Sequence, residues 1–145
     1  MLESKVADVI GKQDLLQLSA DTSVAEAAKQ MAARHVGAML VCEGEALRGI
    51  FTERDMLERV VAADLAPGAT TLREVMTPDP ASIAAEETLL QAIFTMKERL
   101  TRHLLVTRGE DLVGIVSVRD LLRAVVDSRL EERQRFDDLW DGFPV

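Results

Sequence analysis

The chain repeats itself. Gly49-Ile50-Phe51-Thr52-Glu53-Arg54-Asp55 returns 65 positions later as Gly114-Ile115-Val116-Ser117-Val118-Arg119-Asp120. At the same spacing Val24 meets Leu89, Ala27 meets Ala92, Met31 meets Met96, Val41 meets Val106 and Val60-Val61 meets Val125-Val126. Upstream, Val6-Ala7-Asp8-Val9-Ile10 matches Leu72-Arg73-Glu74-Val75-Met76 at a spacing of 66. A chain of 145 residues with this periodicity reads as two tandem units, 1–65 and 66–127, followed by a tail, 128–145. A lone unit of about 60 residues buries only about 60% of its unfolded surface and is marginal, so the two units are expected to pack together.

Each unit gives the same local reading, and the fold class is α+β. A short helical turn (Val6 to Ile10, Leu72 to Met76) precedes a strand, Leu15 to Ser19 or Ala81 to Ala84. Thr77-Pro78-Asp79-Pro80 stops the second turn, because proline lacks an N–H and forces its predecessor to be extended. Val24, Ala27, Ala28 and Met31 lie on one helical stripe, as do Leu89, Ala92, Ile93 and Met96. Two apolar strands follow, Ala38 to Cys42 and Leu47 to Phe51, turned at Glu43-Gly44-Glu45. Their counterparts are Leu104 to Thr107 and Leu112 to Val116, turned at Arg108-Gly109-Glu110-Asp111. A closing helix begins at Glu53 and at Val118, which makes the order β-α-β-β-α in each unit.

Composition narrows the function classes. Hydrophobic residues make up 48% and aromatics 3%, so an aliphatic core is expected, with Met31, Met39, Met56, Met76 and Met96 as filler. A formal charge of −8 argues against a phosphate-backbone footprint, so no nucleic-acid partner is expected. No apolar run approaches the roughly 20 residues of a membrane span. The segment Met1-Leu2-Glu3-Ser4-Lys5 lacks a signal-peptide pattern. We therefore expect a cytoplasmic protein without membrane association. Cys42, the single cysteine, reads as a buried small hydrophobe. His35, His103 and Cys42 do not have metal-ligand spacing, and no Ser-His-Asp or Cys-His constellation, Walker loop or Rossmann loop is present. No catalytic residue, metal or cofactor is expected.

The chemistry is concentrated where the repeated stretch passes from strand to helix. The first N–H groups of a helix have no intrahelical partner and sit at the positive end of its dipole, which suits an anion. Thr52 with Asp55, and Ser117 with Asp120, can be read in two ways. As capping boxes they satisfy those N–H groups, worth about 1 kcal/mol each. As ligand contacts, the hydroxyl faces a phosphate and the carboxylate accepts from a sugar. The two roles are compatible, since a hydroxyl can accept and donate at once.

Tandem β-α-β-β-α units that each end Gly-hydrophobic-hydrophobic-Thr/Ser-x-x-Asp resemble a CBS domain pair, or Bateman module, the family named after cystathionine β-synthase. The likeness spans roughly residues 1–127, and Thr77-Pro78-Asp79-Pro80 is similar to the family's inter-repeat segment. The resemblance implies a pseudo-twofold pair with clefts between the units that bind AMP, ADP or ATP, or S-adenosylmethionine or NAD(H). It implies a stand-alone regulatory protein rather than an enzyme. It also implies ribose contacts at Asp55 and Asp120, with Thr52 and Ser117 beside phosphate and Ile50 and Ile115 in the same motifs. Gly37-Ala38 would let backbone approach an adenine ring. Arg102-His103, at the equivalent place in the second unit, would meet phosphates, with Arg54 and Arg119 as further candidates. The alternatives to ligand contact are a solvated strand start for Arg102 and His103, and surface arginines beside an acidic neighbour for Arg54 and Arg119.

Partners follow from the same reading. The apolar stripes of the four helices exceed what one thin sheet covers, so a homodimer is expected. Other readings are a ligand-free dimerisation scaffold, or a regulatory subunit of a separately encoded enzyme, channel or transporter. The tail carries Leu139, Trp140, Phe143 and Pro144 on a polar extension, which suggests folding back on the module or clasping a partner subunit.

Overall fold

The structure, a computed structural model, describes residues 2–132, with side chains through 127. It forms two compact units, Asp14–Pro80 and Met1–Gln13 joined with Ala81 onward. The sequence repeat and the packed units do not coincide, because each unit takes its leading helix from the other repeat. Helix α1 (Val6–Ile10) contributes fully buried Val6 to the core of the unit that follows Ala81, and α4 (Leu72–Val75) contributes Leu72 and Val75 to the other core. Backbone bonds fix both helices in equivalent ways. Val6 and Ala7 donate to Glu87 and Ala85, while Leu72 and Arg73 donate to Thr22 and Ala20.

In the Asp14–Pro80 unit, β1 (Gln17–Ser19) runs parallel to β2 (Ala38–Glu43), and β2 is antiparallel to β3 (Ala46–Thr52). A two-residue strand that the sequence reading did not anticipate, β4 (Thr77–Pro78), closes the far edge of β3 by pairing with Ile50 and Gly49. The other unit repeats the pattern with β5 (Ser82–Ala84), β6 (His103–Arg108) and β7 (Asp111–Ser117), in a sheet of three strands. Both hairpins turn through a glycine with positive φ, Gly44 and Gly109, where a side chain would be strained. Helices α2 (Val24–Arg34) and α5 (Leu89–Arg99) start at Ser23 and Thr88, whose hydroxyls accept from Glu26 and Gln91 N–H. Each lays its apolar stripe on one face of its own sheet. Val24, Ala27 and Met31 meet Met39, Val41 and Phe51 in one core, and Leu89, Ala92 and Met96 meet Leu104, Val106 and Val116 in the other.

Several details differ from expectation. One core is not wholly aliphatic, since Phe51 is its largest fully buried side chain. Met31, Met39 and Met96 are buried as expected, whereas Met56 and Met76 are only partly buried against the core. Cys42 is half-buried at a bulge in β2 rather than buried, and desolvation pushes its thiol pKa up. The closing helix of the first repeat is α for one turn, α3 (Glu53–Asp55), and then π-helical over Met56–Val61, with Ala62 N–H donating to Leu57 C=O five residues back. Its counterpart α6 (Val118–Glu132) is α-helical along its described length. Among the described residues no helix is long and apolar enough to cross a membrane. The tail residues Leu139, Trp140, Phe143 and Pro144 lie outside the described residues.

Candidate functional site

Strand pairing brings the candidate residues together within each unit. In the Asp14–Pro80 unit, Ala38 pairs with Thr52 across β2 and β3, and Glu53 N–H donates to Gly37 C=O at 3.0 Å. In the other unit, His103 pairs with Ser117 across β6 and β7, and Val118 N–H donates to Arg102 C=O at 2.9 Å. Each helix therefore starts against the beginning of the first strand of the preceding hairpin, β2 or β6. Thr101 orders this approach in the second case, where its hydroxyl donates to His103 C=O and accepts from His103 N–H. The sequence reading did not single out Thr101.

Both strand-to-helix joints are reciprocal capping boxes. Asp55 N–H donates to the Thr52 hydroxyl at 3.2 Å, and Thr52 N–H donates to Asp55 Oδ2 at 3.0 Å. Asp120 N–H donates to Ser117 Oγ at 3.1 Å, and Ser117 N–H donates to Asp120 Oδ2 at 2.8 Å. In each box one carboxylate oxygen is committed to the backbone and Oδ1 is the oxygen left for other partners.

The two boxes differ in what that second oxygen meets. Asp55 is 8% exposed; its Oδ1 lies 3.5 Å from the Thr77 hydroxyl and 3.7 Å from Arg59 Nε. Arg59 is itself anchored, since its Nη1 donates to Val75 and Met76 C=O at the end of α4. Asp120 is half-buried, and among the described residues its carboxylate has no further polar partner. Arg59 stands four residues after Asp55, a pairing legible on a helix. Thr77 comes 22 residues later, which no local pattern reveals.

The flanking positions diverge too. The Gly37 Cα faces the carboxylate of Glu53, which lies where a Cβ would stand. The face expected to receive an adenine ring thus carries an acidic side chain. The equivalent pair in the other unit, Arg102 and Val118, is basic and apolar. Arg102 and Arg119 are exposed and His103 is half-buried beside the Ser117 joint. Arg54 is exposed and pairs with Glu58 one turn on, at 3.6 Å. Ile50 and Ile115 are buried on the sheet faces opposite the helix-side cores, paired with Leu40 and Leu105. Among the described residues no three His, Cys, Asp or Glu side chains gather as a metal site.

The sequence and the fold are shared with proteins of a known family. The CBS domain family matches residues 6–62 and 72–127. A mitochondrial CBS domain-containing protein of Arabidopsis thaliana, CBSX3, is 33% identical over 132 residues, covering 88% of this chain and 64% of its own length. A second Arabidopsis protein, CBSCBSPB2, is 31% identical over 118 residues, 81% of this chain and 22% of its own length. The chain thus spans less than two thirds of these relatives. A protein with CBS domains from Burkholderia ambifaria superposes with a TM-score of 0.79 at 30% identity, covering 86% of this chain and 95% of its own. With both repeats matched and the α+β architecture reproduced, the chain belongs to the CBS domain family as a tandem pair.

Proposed function

We propose that this CBS pair is a regulatory module that binds an adenosine nucleotide, with the Ser117–Asp120 joint as its principal grip. The observation that carries the reading is the asymmetry of the two boxes. Among the described residues one Asp120 carboxylate oxygen has no protein partner; it lies at the N-terminus of a long helix, beside Arg102, His103 and Arg119. Such an oxygen accepts from ribose hydroxyls, and the arginines supply charge for phosphate. At the other joint Asp55 already meets Arg59 and Thr77, and Glu53 places a negative charge by Gly37. That joint is the weaker site for an anion. AMP, ADP, ATP, S-adenosylmethionine and NAD(H) all present a ribose to such a carboxylate.

The module is regulatory and non-catalytic in this reading. It works as a homodimer in the cytoplasm, and its occupancy is read by a separately encoded enzyme, channel or transporter. Thermal-shift and calorimetric titration with the five ligands tests it. A ligand at 100 times its dissociation constant adds about 2.7 kcal/mol to stability. Phosphorylated ligands should bind more tightly than adenosine, with affinity falling as salt rises. Arg102→Ala should shrink the preference for AMP over adenosine while leaving adenosine nearly unchanged. No response to any of the five would remove the nucleotide reading.

A second reading, a ligand-free interaction scaffold, is favoured by a different observation. Leu57 and Val61 on the π-helical turn, and Leu90, Ile93, Phe94 and Leu122 in the other unit, are exposed apolar side chains on helices. Light scattering that finds a monomer at micromolar concentration would exclude both the homodimer and the scaffold.

A further inference from the structure

The closing helices of the two repeats match in sequence length and differ in their hydrogen-bond ladders. Residues 52–61 and 117–126 correspond one to one at a spacing of 65, so no inserted residue forces a wider turn in either. Yet Met56–Val61 is π-helical, whereas residues 121–126 lie within the α-helical stretch Val118–Glu132. Helix propensity does not separate them. Met56-Leu57-Glu58 and Leu121-Leu122-Arg123 are all good helix formers, and both stretches end in Val-Val. A π turn is uncommon, and here its cause must lie in tertiary contacts.

Those contacts centre on Arg59, which stands where the other repeat has Ala124. Arg59 Nη1 donates to Val75 C=O at 3.2 Å and to Met76 C=O at 2.8 Å, and Nε lies 3.7 Å from Asp55 Oδ1. One guanidinium thus ties the start of the helix to the end of α4. The ladder also decides what the core receives. Val60 is fully buried and Met56 half-buried, whereas in the α-helical copy Leu121 is buried and Val125 half-buried. The helix stops where Asp64 takes a positive φ and Leu65 N–H donates to Val60 C=O. Residues 61–69 are all exposed, a stretch that can absorb a change of register without disturbing the core.

We propose that residues 56–61 form a two-register switch. Arg59, gripped by Asp55 and by the end of α4, holds the segment π-helical, and its release returns the segment to the α register of its counterpart. Whatever draws Asp55 or the α4 carbonyls away from Arg59 is then passed to Leu57 and Val61, which are 62% and 61% exposed on the same turn. An event at the buried carboxylate becomes a change of surface. The switch is independent of nucleotide binding, and its test needs no ligand.

Ala62 N–H reports the register, because it donates to Leu57 C=O in the π form and to Glu58 C=O in an α form. Scalar coupling through the hydrogen bond, measured by NMR on the isotopically labelled full chain, identifies the accepting carbonyl. Arg59→Met keeps the hydrocarbon stem and the helix propensity and removes the guanidinium. It should move the coupling from Leu57 to Glu58. Asp55→Asn, which leaves the α4 carbonyls in place, should move part of it, so that both acceptors are detected. Arg54→Met, which breaks only the exposed pair with Glu58, should leave the parent coupling unchanged. A parent chain already coupled to Glu58 overturns the proposal, as does a Leu57 coupling that survives both Arg59→Met and Asp55→Asn. Loss of both couplings in Arg59→Met means that the turn unravels instead of changing register, which overturns it too. An equal shift caused by Arg54→Met would overturn the assignment of the latch to Arg59.

Discussion

The β3 edge and the β7 edge occupy the same place in their repeats and are closed by different means. Beyond β3, the backbone of Thr77–Pro78 pairs with Ile50 and Gly49 as a fourth strand. Beyond β7, one side chain does the work of that strand. Gln13 Nε2 donates to Ile115 C=O at 3.0 Å, and Gln13 Oε1 accepts from Ile115 N–H at 2.9 Å. A carboxamide carries a donor and an acceptor in one plane, so it imitates a peptide group. The closure also fits the glycines. A Cβ at Gly49 would meet Thr77 C=O and the Met76 side chain, and one at Gly114 would meet Ile10 and Gln13. Each motif glycine lets its edge partner approach closely. The difference teaches that a repeated sequence fixes a requirement, an unpaired edge to satisfy, without fixing what satisfies it.

The same divergence runs through the cores and the capping boxes, and graded substitutions test it. The largest effect is expected at Phe51, whose counterpart is Val116. Phe51→Ala should cost about 3–5 kcal/mol in urea unfolding, and Val116→Ala clearly less, because it leaves a smaller cavity. Equal losses would mean that the first core collapses around the missing ring.

Next is the ligand asymmetry. Asp120→Asn should weaken AMP binding roughly 10- to 100-fold, the worth of charge-assisted bonds of about 1.5–3 kcal/mol. Asp55→Asn should change affinity little and lower the melting temperature instead, since its carboxylate meets Arg59 and Thr77. Calorimetry that finds the reverse order would invert the assignment of the two joints.

Gln13→Ala should cost about 1–3 kcal/mol, because Ile115 N–H and C=O both lose a partly buried partner. A loss below about 0.5 kcal/mol would show that water replaces the amide at that edge. The smallest effect belongs to Arg54→Ala. Its pair with Glu58 is exposed and one turn apart on the surface, worth at most about 0.3–0.5 kcal/mol. A larger stability change there would show a role beyond that pair.

Much of this was legible in the sequence because it is local and periodic. The 65-residue repeat, the β-α-β-β-α order, the glycine turns and the core stripes at Val24, Ala27 and Met31 are set within a few residues of themselves. The two capping boxes are equally local, their partners three residues apart, and the structure has both. Tertiary structure decided what depends on distant partners. Val6–Ile10 and Leu72–Met76 carry the same apolar pattern, so no periodicity could say that the leading helices are exchanged between the repeats. The burial of Asp55 rests on Thr77 and on Arg59 reaching the end of α4, contacts that exist only once the chain has closed on itself. Two joints that read alike in sequence therefore differ once folded: among the described residues the second Asp120 carboxylate oxygen has no protein partner, whereas that of Asp55 lies near Thr77 and Arg59. Side-chain spacing places a group on an element, but its availability is settled by whatever else packs there.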